Sequence, residues 1–272
     1  PTAPAPPPVT PTAPVTPPVT TPPVTTPPAT GARVPLVAAY ADWVQVRDDD
    51  FQAMGKANPS TGQVPAGYAL VAASQIMGSP GTVSADLISM DANGLHLQVG
   101  SQTEGTGIQG TGAGIKGPYY RETDMTLNPN ANHPSSWTLT TRTGDDASID
   151  GEVDETEGGW GEDTGTVHNG PESALYAYGP ANLPGTSGGV VSTYNDDEQV
   201  TWYVNGVLDS DLGGGRANPA KFPETIPADT LWYPLHVIVP GSGLFGATSP
   251  TVTGAAGEYV VRRDTWWVPP AA

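Results

Sequence analysis

Beyond about residue 34 the chain is written in short alternating runs. Leu95, Leu97 and Val99 are separated by His96 and Gln98; Val200, Trp202 and Val204 by Thr201 and Tyr203; and Val237 and Val239 flank Ile238. Apolar residues at every second position give an extended segment one face for a core and leave the other to polar neighbours. Each run therefore predicts a half-buried β-strand. Ala92-Asn93-Gly94 and Asn205-Gly206 stand beside such runs and predict hairpin turns. No window of about 12 residues keeps the i, i+3, i+4, i+7 spacing of a helix, because Pro and Gly interrupt nearly every candidate. Many short strands over residues 34–272 predict a single all-β sandwich, large enough to bury a substantial core.

The first 30 residues differ in kind. They hold 13 of the 31 prolines and no charged side chain, in a rough PVT/TPP repeat. With few backbone donors and nothing to bury, such a segment favours polyproline II, which rises about 3.1 Å per residue. Residues 1–33 are read as a Pro/Thr-rich extended linker to another module or to a virion or cell-surface assembly. The setting expected for such a spacer is extracellular, or the tail of a virion. The chain opens on Pro1 rather than on Met, which suggests a mature product or a piece of something longer.

Composition then removes whole classes of function. With 28 acidic and 10 basic residues the formal net charge is −18, which argues against a nucleic-acid partner. No apolar run approaches the roughly 20 residues of a membrane span, so membrane insertion is not expected. The absence of Cys excludes disulfide frameworks, Cys-ligated zinc and thiol nucleophiles. No cofactor is expected.

The acids are not evenly spread. Asp145 to Asp163 carries nine carboxylates and no Lys or Arg. Asp150, Glu152 and Asp154 alternate, so a strand would turn all three to one side, where like charges repel. Acid runs are commonly solvated faces. Here Ile149 and Val153 have the opposite parity, which reads as one face on a core and the other lining something polar.

Within that stretch, GEVDETEG resembles the active-site signature of glycoside hydrolase family 16, in its bulged form E-x-D-x-x-E: Glu152, Asp154 and Glu157. The bulge matters because an unbroken strand would turn Glu157 away from Glu152; Thr156 is taken as the extra residue. The flanks are similar in the same order. Val44 to Phe51 resembles the family's N-terminal strand and D-[DE]-F segment, and Gly94 to Leu97 its G-L-x-L strand. Gly117 to Tyr120 is similar to the Y-G-x-[FY]-E region, and Ser136 to Leu139 sits where W-P-A-F-W precedes the catalytic strand. Gly165 to His168 resembles G-T-[VL]-H, and Trp202 to Gly206 the W-Y-V-[DN]-G hairpin. Tyr233 to Ile238 and Asp264 to Val268 look like the last two strands.

The resemblance implies a concanavalin A-like jelly roll of two antiparallel sheets with a concave substrate cleft. It also implies an endo-acting, retaining hydrolase of a polysaccharide: a β-glucan, a galactan or a bacterial cell-envelope glycan. In such enzymes two carboxyl groups about 5–5.5 Å apart form and then hydrolyse a covalent glycosyl intermediate. It assigns Glu152 as nucleophile, Glu157 as general acid then base, and Asp154 as the carboxylate between them. Trp137, Trp160, Tyr120 and His168 are candidate substrate-binding residues, while Trp202 reads as core. Asp264, or the run Asp48-Asp49-Asp50, is a candidate for a structural calcium site like one that some relatives carry.

Four features depart from the pattern: the second Trp of W-P-A-F-W is missing, with Thr141 and Arg142 in its neighbourhood, the glycine-rich stretch Gly105 to Gly117 is longer and looser than the family's, and two single positions differ. Glu155 replaces an apolar residue directed between the sheets, and Arg121 replaces a Glu. An unpaired buried carboxylate is costly, which leaves a different local geometry or a pairing with Arg142. A rival from another class is a non-catalytic carbohydrate-binding domain of a secreted or phage tail protein. A third is a purely structural module.

Overall fold

The computed structural model describes residues 32–71, 82–100, 104–126, 133–139, 151–159, 162–168, 188–209, 218–239 and 258–271. In chain order its strands are β1 (Val44–Asp50), β2 (Ser60–Thr61), β3 (Tyr68–Leu70), β4 (Thr82–Val83), β5 (Ile88–Asp91) and β6 (Gly94–Gln98). There follow β7 (Glu104–Gly110), β8 (Ile115–Lys116), β9 (Tyr119–Thr126), β10 (His133–Leu139), β11 (Glu152–Gly159) and β12 (Glu162–His168). The last six are β13 (Gly189–Asn195), β14 (Gln199–Val204), β15 (Val207–Leu208), β16 (Ala220–Lys221), β17 (Leu231–Val239) and β18 (Glu258–Val268).

Two sheets result. The larger runs β15-β14-β13-β9-β18-β6-β5-β2, with β1 beside β18 and β16 beside β14. The smaller runs β12-β11-β10-β17-β7-β3, with β4 on β7 and β8 on β17. Pairing is antiparallel except in the two-residue contact of β4 with β7. Sheet neighbours are often distant in sequence: β18 lies between β9 and β6, and β17 between β10 and β7. No helix among the described residues is long and apolar enough to cross a membrane.

The alternation seen in the sequence is what joins the sheets. Leu95, Leu97, Met125, Tyr259 and Val261 of the larger sheet pack with Ile108 and Ile238 of the smaller. Tyr119, Val200, Trp202 and Trp266 do the same with Val153, Val167 and Trp232. Strand β17 breaks the expectation: Leu235, His236, Val237 and Ile238 are all buried, so parity there separates no inside from an outside. Both turns form, Ala92 and Asn93 joining β5 to β6 and Asn205-Gly206 joining β14 to β15. The second has positive φ at both positions (49° and 77°), as a type I′ hairpin requires. Among the described residues there is one α-helix, α1 (Phe51–Ala57), and its seven residues are too few for a 12-residue pattern. It starts where Asp50 Oδ1 accepts a bond from the Ala53 N–H at 2.9 Å.

A third layer covers the outer face of the larger sheet. Tyr40 stacks on Tyr120 at 4.5 Å and packs beside Trp267. The Leu36 N–H donates to Glu122 Oε1 at 2.5 Å, and the Trp267 indole N–H donates to the Arg33 carbonyl at 3.1 Å. Among the described residues, Arg33 is already docked on the domain, inside the segment read as linker. Residues 1–31 lie outside the described residues.

Candidate active site

Strand β11 lies between β10 and β12. Along β12 its register is Glu152 opposite His168, Val153 opposite Val167 and Asp154 opposite Thr166, then a break, then Glu157 opposite Thr164. Glu155 and Thr156 together face only Gly165, which is a β-bulge. The bulge returns position 157 to the row of positions 152 and 154. Along β10 the register is Trp137 opposite Asp154 and Ser136 opposite Thr156, so the residue skipped there is Glu155 rather than Thr156. The predicted kink exists, with its extra residue one place earlier than expected.

Alternation sorts the two sides of β11. Val153 enters the core, while Glu152 (7% exposed) and Asp154 (0%) take the opposite face. The His168 ring joins them: its Nε2–H donates to Asp154 Oδ2 at 3.0 Å. Behind the bulge, the Trp202 indole N–H donates to the Asp154 backbone carbonyl at 3.2 Å. That approach needs a glycine opposite, because a Cβ on Gly165 would lie 2.7 Å from the indole nitrogen. Trp202 is 3% exposed and acts as core, as the sequence suggested.

The two departures at 121 and 155 explain each other. Glu155 Oε2 is 2.5 Å from Arg121 Nη1, and both side chains are fully buried. Arg121 comes from β9 in the facing sheet and also binds Asp264 through Nε (3.0 Å) and Nη2 (2.8 Å). His236 Nε2–H donates to Asp264 Oδ2 at 3.0 Å, and its Nδ1 accepts from the Tyr259 hydroxyl at 3.1 Å. Burial pushes His236 below its ordinary pKa, which suits this neutral tautomer. Burial alone would raise the Asp264 carboxyl, but Arg121 and His236 outweigh it and hold it well below the usual carboxylate range. Removing one partner from such a pair costs about 3–5 kcal/mol. Arg142, the partner entertained from sequence, lies outside the described residues. The only sequence signal for the pairing was that the two misfits have opposite charge.

The remaining predicted residues divide sharply. Glu152, Asp154 and His168 meet, and the register brings the backbone of Trp137 and Glu157 alongside. Trp160 lies outside the described residues. Tyr120 is on the other sheet, fully buried on its outer face beneath Tyr40, with its hydroxyl donated to Glu122 Oε1 at 3.0 Å. It has no surface to offer a sugar; its motif neighbour Tyr119 takes the core side of the same strand.

Asp264 is likewise corrected as a calcium ligand: it is buried between the sheets and held by Arg121 and His236. Asp48 binds Arg263 and Thr265, Asp49 binds Arg47 and Tyr68, and Asp50 caps α1. Among the described residues no group of three or more His, Asp or Glu is placed to hold a metal ion.

No protein-family model matches the chain, and no curated protein does. Solved structures do resemble it. The endo-β-1,3-glucanase of Pyrococcus furiosus aligns with a TM-score of 0.62 at 15% identity, over 85% of this chain and 96% of that one. The laminarinase catalytic domain of Thermotoga maritima aligns with a TM-score of 0.60 at 17% identity, over 85% and 100%. A structure from work on endo-acting O-glycanases that human gut bacteria express to initiate mucin breakdown gives 0.63 at 15%, over 84% and 100%. At these identities the likeness establishes the jelly-roll sandwich.

Proposed function

We propose that the chain is an endo-acting, retaining glycoside hydrolase of family 16 type that cleaves a polysaccharide by double displacement. The observation that carries the reading is the register of β11: one bulge sets Glu157 in the row of Glu152 and Asp154, on a sheet face where His168 already bonds Asp154. Glu152 attacks the anomeric carbon while Glu157 protonates the leaving oxygen; Glu157 then takes a proton from water, which releases the glycosyl group from Glu152. Asp154, oriented by His168, orients the nucleophile, and its negative charge favours a protonated Glu157 at the start of the cycle. The fold shared with a β-1,3-glucanase and a laminarinase makes β-glucan the first substrate to try.

The test is release of new reducing ends from laminarin, mixed-linkage glucan, agarose and bacterial cell-wall galactan, with binding measured on the same panel. Glu152→Gln and Glu157→Gln are each expected to abolish turnover while the far-UV spectrum stays that of the parent. Full activity in either variant overturns the assignment. Binding without new ends would instead support a lectin-like module. The Pro/Thr tract at residues 1–31 supports an extracellular or virion-tail setting, with the tract leading to another module.

A further inference from the structure

Glu152 and Asp154 stand on one side of the β11 bulge and Glu157 on the other, so the geometry of the three acids depends on how the bulged residues are held. A bulge is the place in a ladder where pairing is interrupted and the backbone is free to bend. Here two consecutive residues are tied to the facing sheet. The Asp154 carbonyl accepts from Trp202 on β14, and the Glu155 carboxylate accepts from Arg121 on β9.

We infer that Arg121 and Glu155 are positioning residues: their ion pair clamps the β11 bulge to the opposite sheet and sets the relation between positions 152, 154 and 157. The inference rests on the hydrolase reading above and adds the device that holds its acids in place.

Three features point to orientation rather than bulk stability. First, apolar residues of similar volume stabilise a buried site as well as an ion pair does, so stability alone does not require charges here. What a charge-assisted, directional bond adds is a fixed geometry. Second, Arg121 is itself immobilised. Its Nε and Nη2 hold both oxygens of Asp264, its guanidinium lies 5.0 Å over the Trp266 ring, and His236 braces Asp264 from β17. Third, the tie falls on the residue that the β10 register passes over, between Asp154 opposite Trp137 and Thr156 opposite Ser136.

The experiment compares Glu155→Leu, Glu155→Gln, Arg121→Lys and a control, Tyr259→Phe, which loosens the far end of the same network. A clamp predicts that Glu155→Leu lowers kcat by about 10- to 100-fold with KM changed less than about threefold, since a misplacement of about 1 Å can cost that much. It also predicts a shifted acid limb in the pH profile of kcat, because the spacing of the acids sets their coupling. Glu155→Gln, which keeps an acceptor for Arg121, recovers most of the rate. Arg121→Lys, which keeps the charge and loses the fork, behaves like Glu155→Leu and covers the case in which the Leu protein does not fold. Tyr259→Phe stays near the parent in kcat and pH profile.

A second readout needs no turnover: the NMR signal of the Trp202 indole N–H, which reports its bond to Asp154. It moves in Glu155→Leu and Arg121→Lys and stays in Tyr259→Phe. If the parent releases no reducing ends, the hydrolase reading fails and this signal still decides the clamp. Variants that lower Tm but leave kcat, pH profile and indole signal unchanged overturn it.

Discussion

Glu122 is a carboxyl placed where water does not reach. It is 1% exposed, Oε1 accepts from the Leu36 N–H and the Tyr120 hydroxyl, and Oε2 is buried with no hydrogen-bond partner among the described residues. Burial raises its pKa above the ordinary 4.5. A carboxyl whose folded pKa lies above its unfolded value contributes stability fully below the unfolded pKa and loses it as pH rises through the folded one. Glu122→Gln keeps an acceptor oxygen and has no proton to lose. Its Tm is expected to match the parent near pH 4 and to exceed it by a few degrees near pH 8, measured by calorimetry across that range. Equal loss of Tm at both ends would show that the charge is not what matters. Nothing in the linear pattern marked Glu122, because its environment comes from Leu36, 86 residues away. Arg121 and Glu155 were visible as misfits, but their pairing depends on two sheets meeting face to face, which no spacing along the chain encodes. Tyr120 was misjudged for a related reason: adjacent Tyr119 and Tyr120 take opposite faces of β9, and only the strand's place in the sandwich decides what each face meets.

At the level of elements, strand β11 depends on its neighbour more than on itself. Gly165 stands opposite the two bulged residues of β11, and the missing Cβ is what lets Trp202 reach the Asp154 carbonyl. Gly165→Ala places a carbon 2.7 Å from the indole nitrogen, so either the ring withdraws or β12 moves away from the bulge. Both responses cost stability, about 1–3 kcal/mol for an overpacked core, or roughly 2–12 °C in Tm. Both also misplace the acids, so turnover should fall at least about tenfold in the reducing-end assay. An alanine protein with parental Tm and rate would show that the Trp202 bond is incidental. The hairpins and the strands β6 and β14 were legible because alternation and turn chemistry act locally. The bulge was legible as a need, since three acids had to share a face. Which residue is skipped was not, because that depends on the separate pairing with β10. Strand β17 was only half legible, since burial on both faces removes the polar half of the alternation.

Across the whole molecule, the segment from Arg33 to Trp43 closes the outer face of the larger sheet over Tyr120, Trp267 and Glu122. Tyr40 is central to that cover: it stacks on Tyr120 at 4.5 Å and on Tyr194 at 5.2 Å, and its hydroxyl lies 3.0 Å from that of Tyr203. Composition says the opposite of residues 1–31, which carry no charge, 13 prolines and little apolar surface to bury. The two stretches adjoin in sequence but should differ in energetic weight. Removing residues 1–31 is expected to leave Tm within about 1 °C of the full chain. Removing residues 1–41 uncovers two buried aromatic rings and leaves Glu122 without the Leu36 N–H, a loss of several kcal/mol and on the order of 10 °C in Tm. Calorimetry of the two truncated proteins beside the full chain reads the difference directly. A large drop already at residue 31 would mean that the Pro/Thr tract packs on the domain. Its reading as a spacer would then give way to one in which the tract is part of the fold.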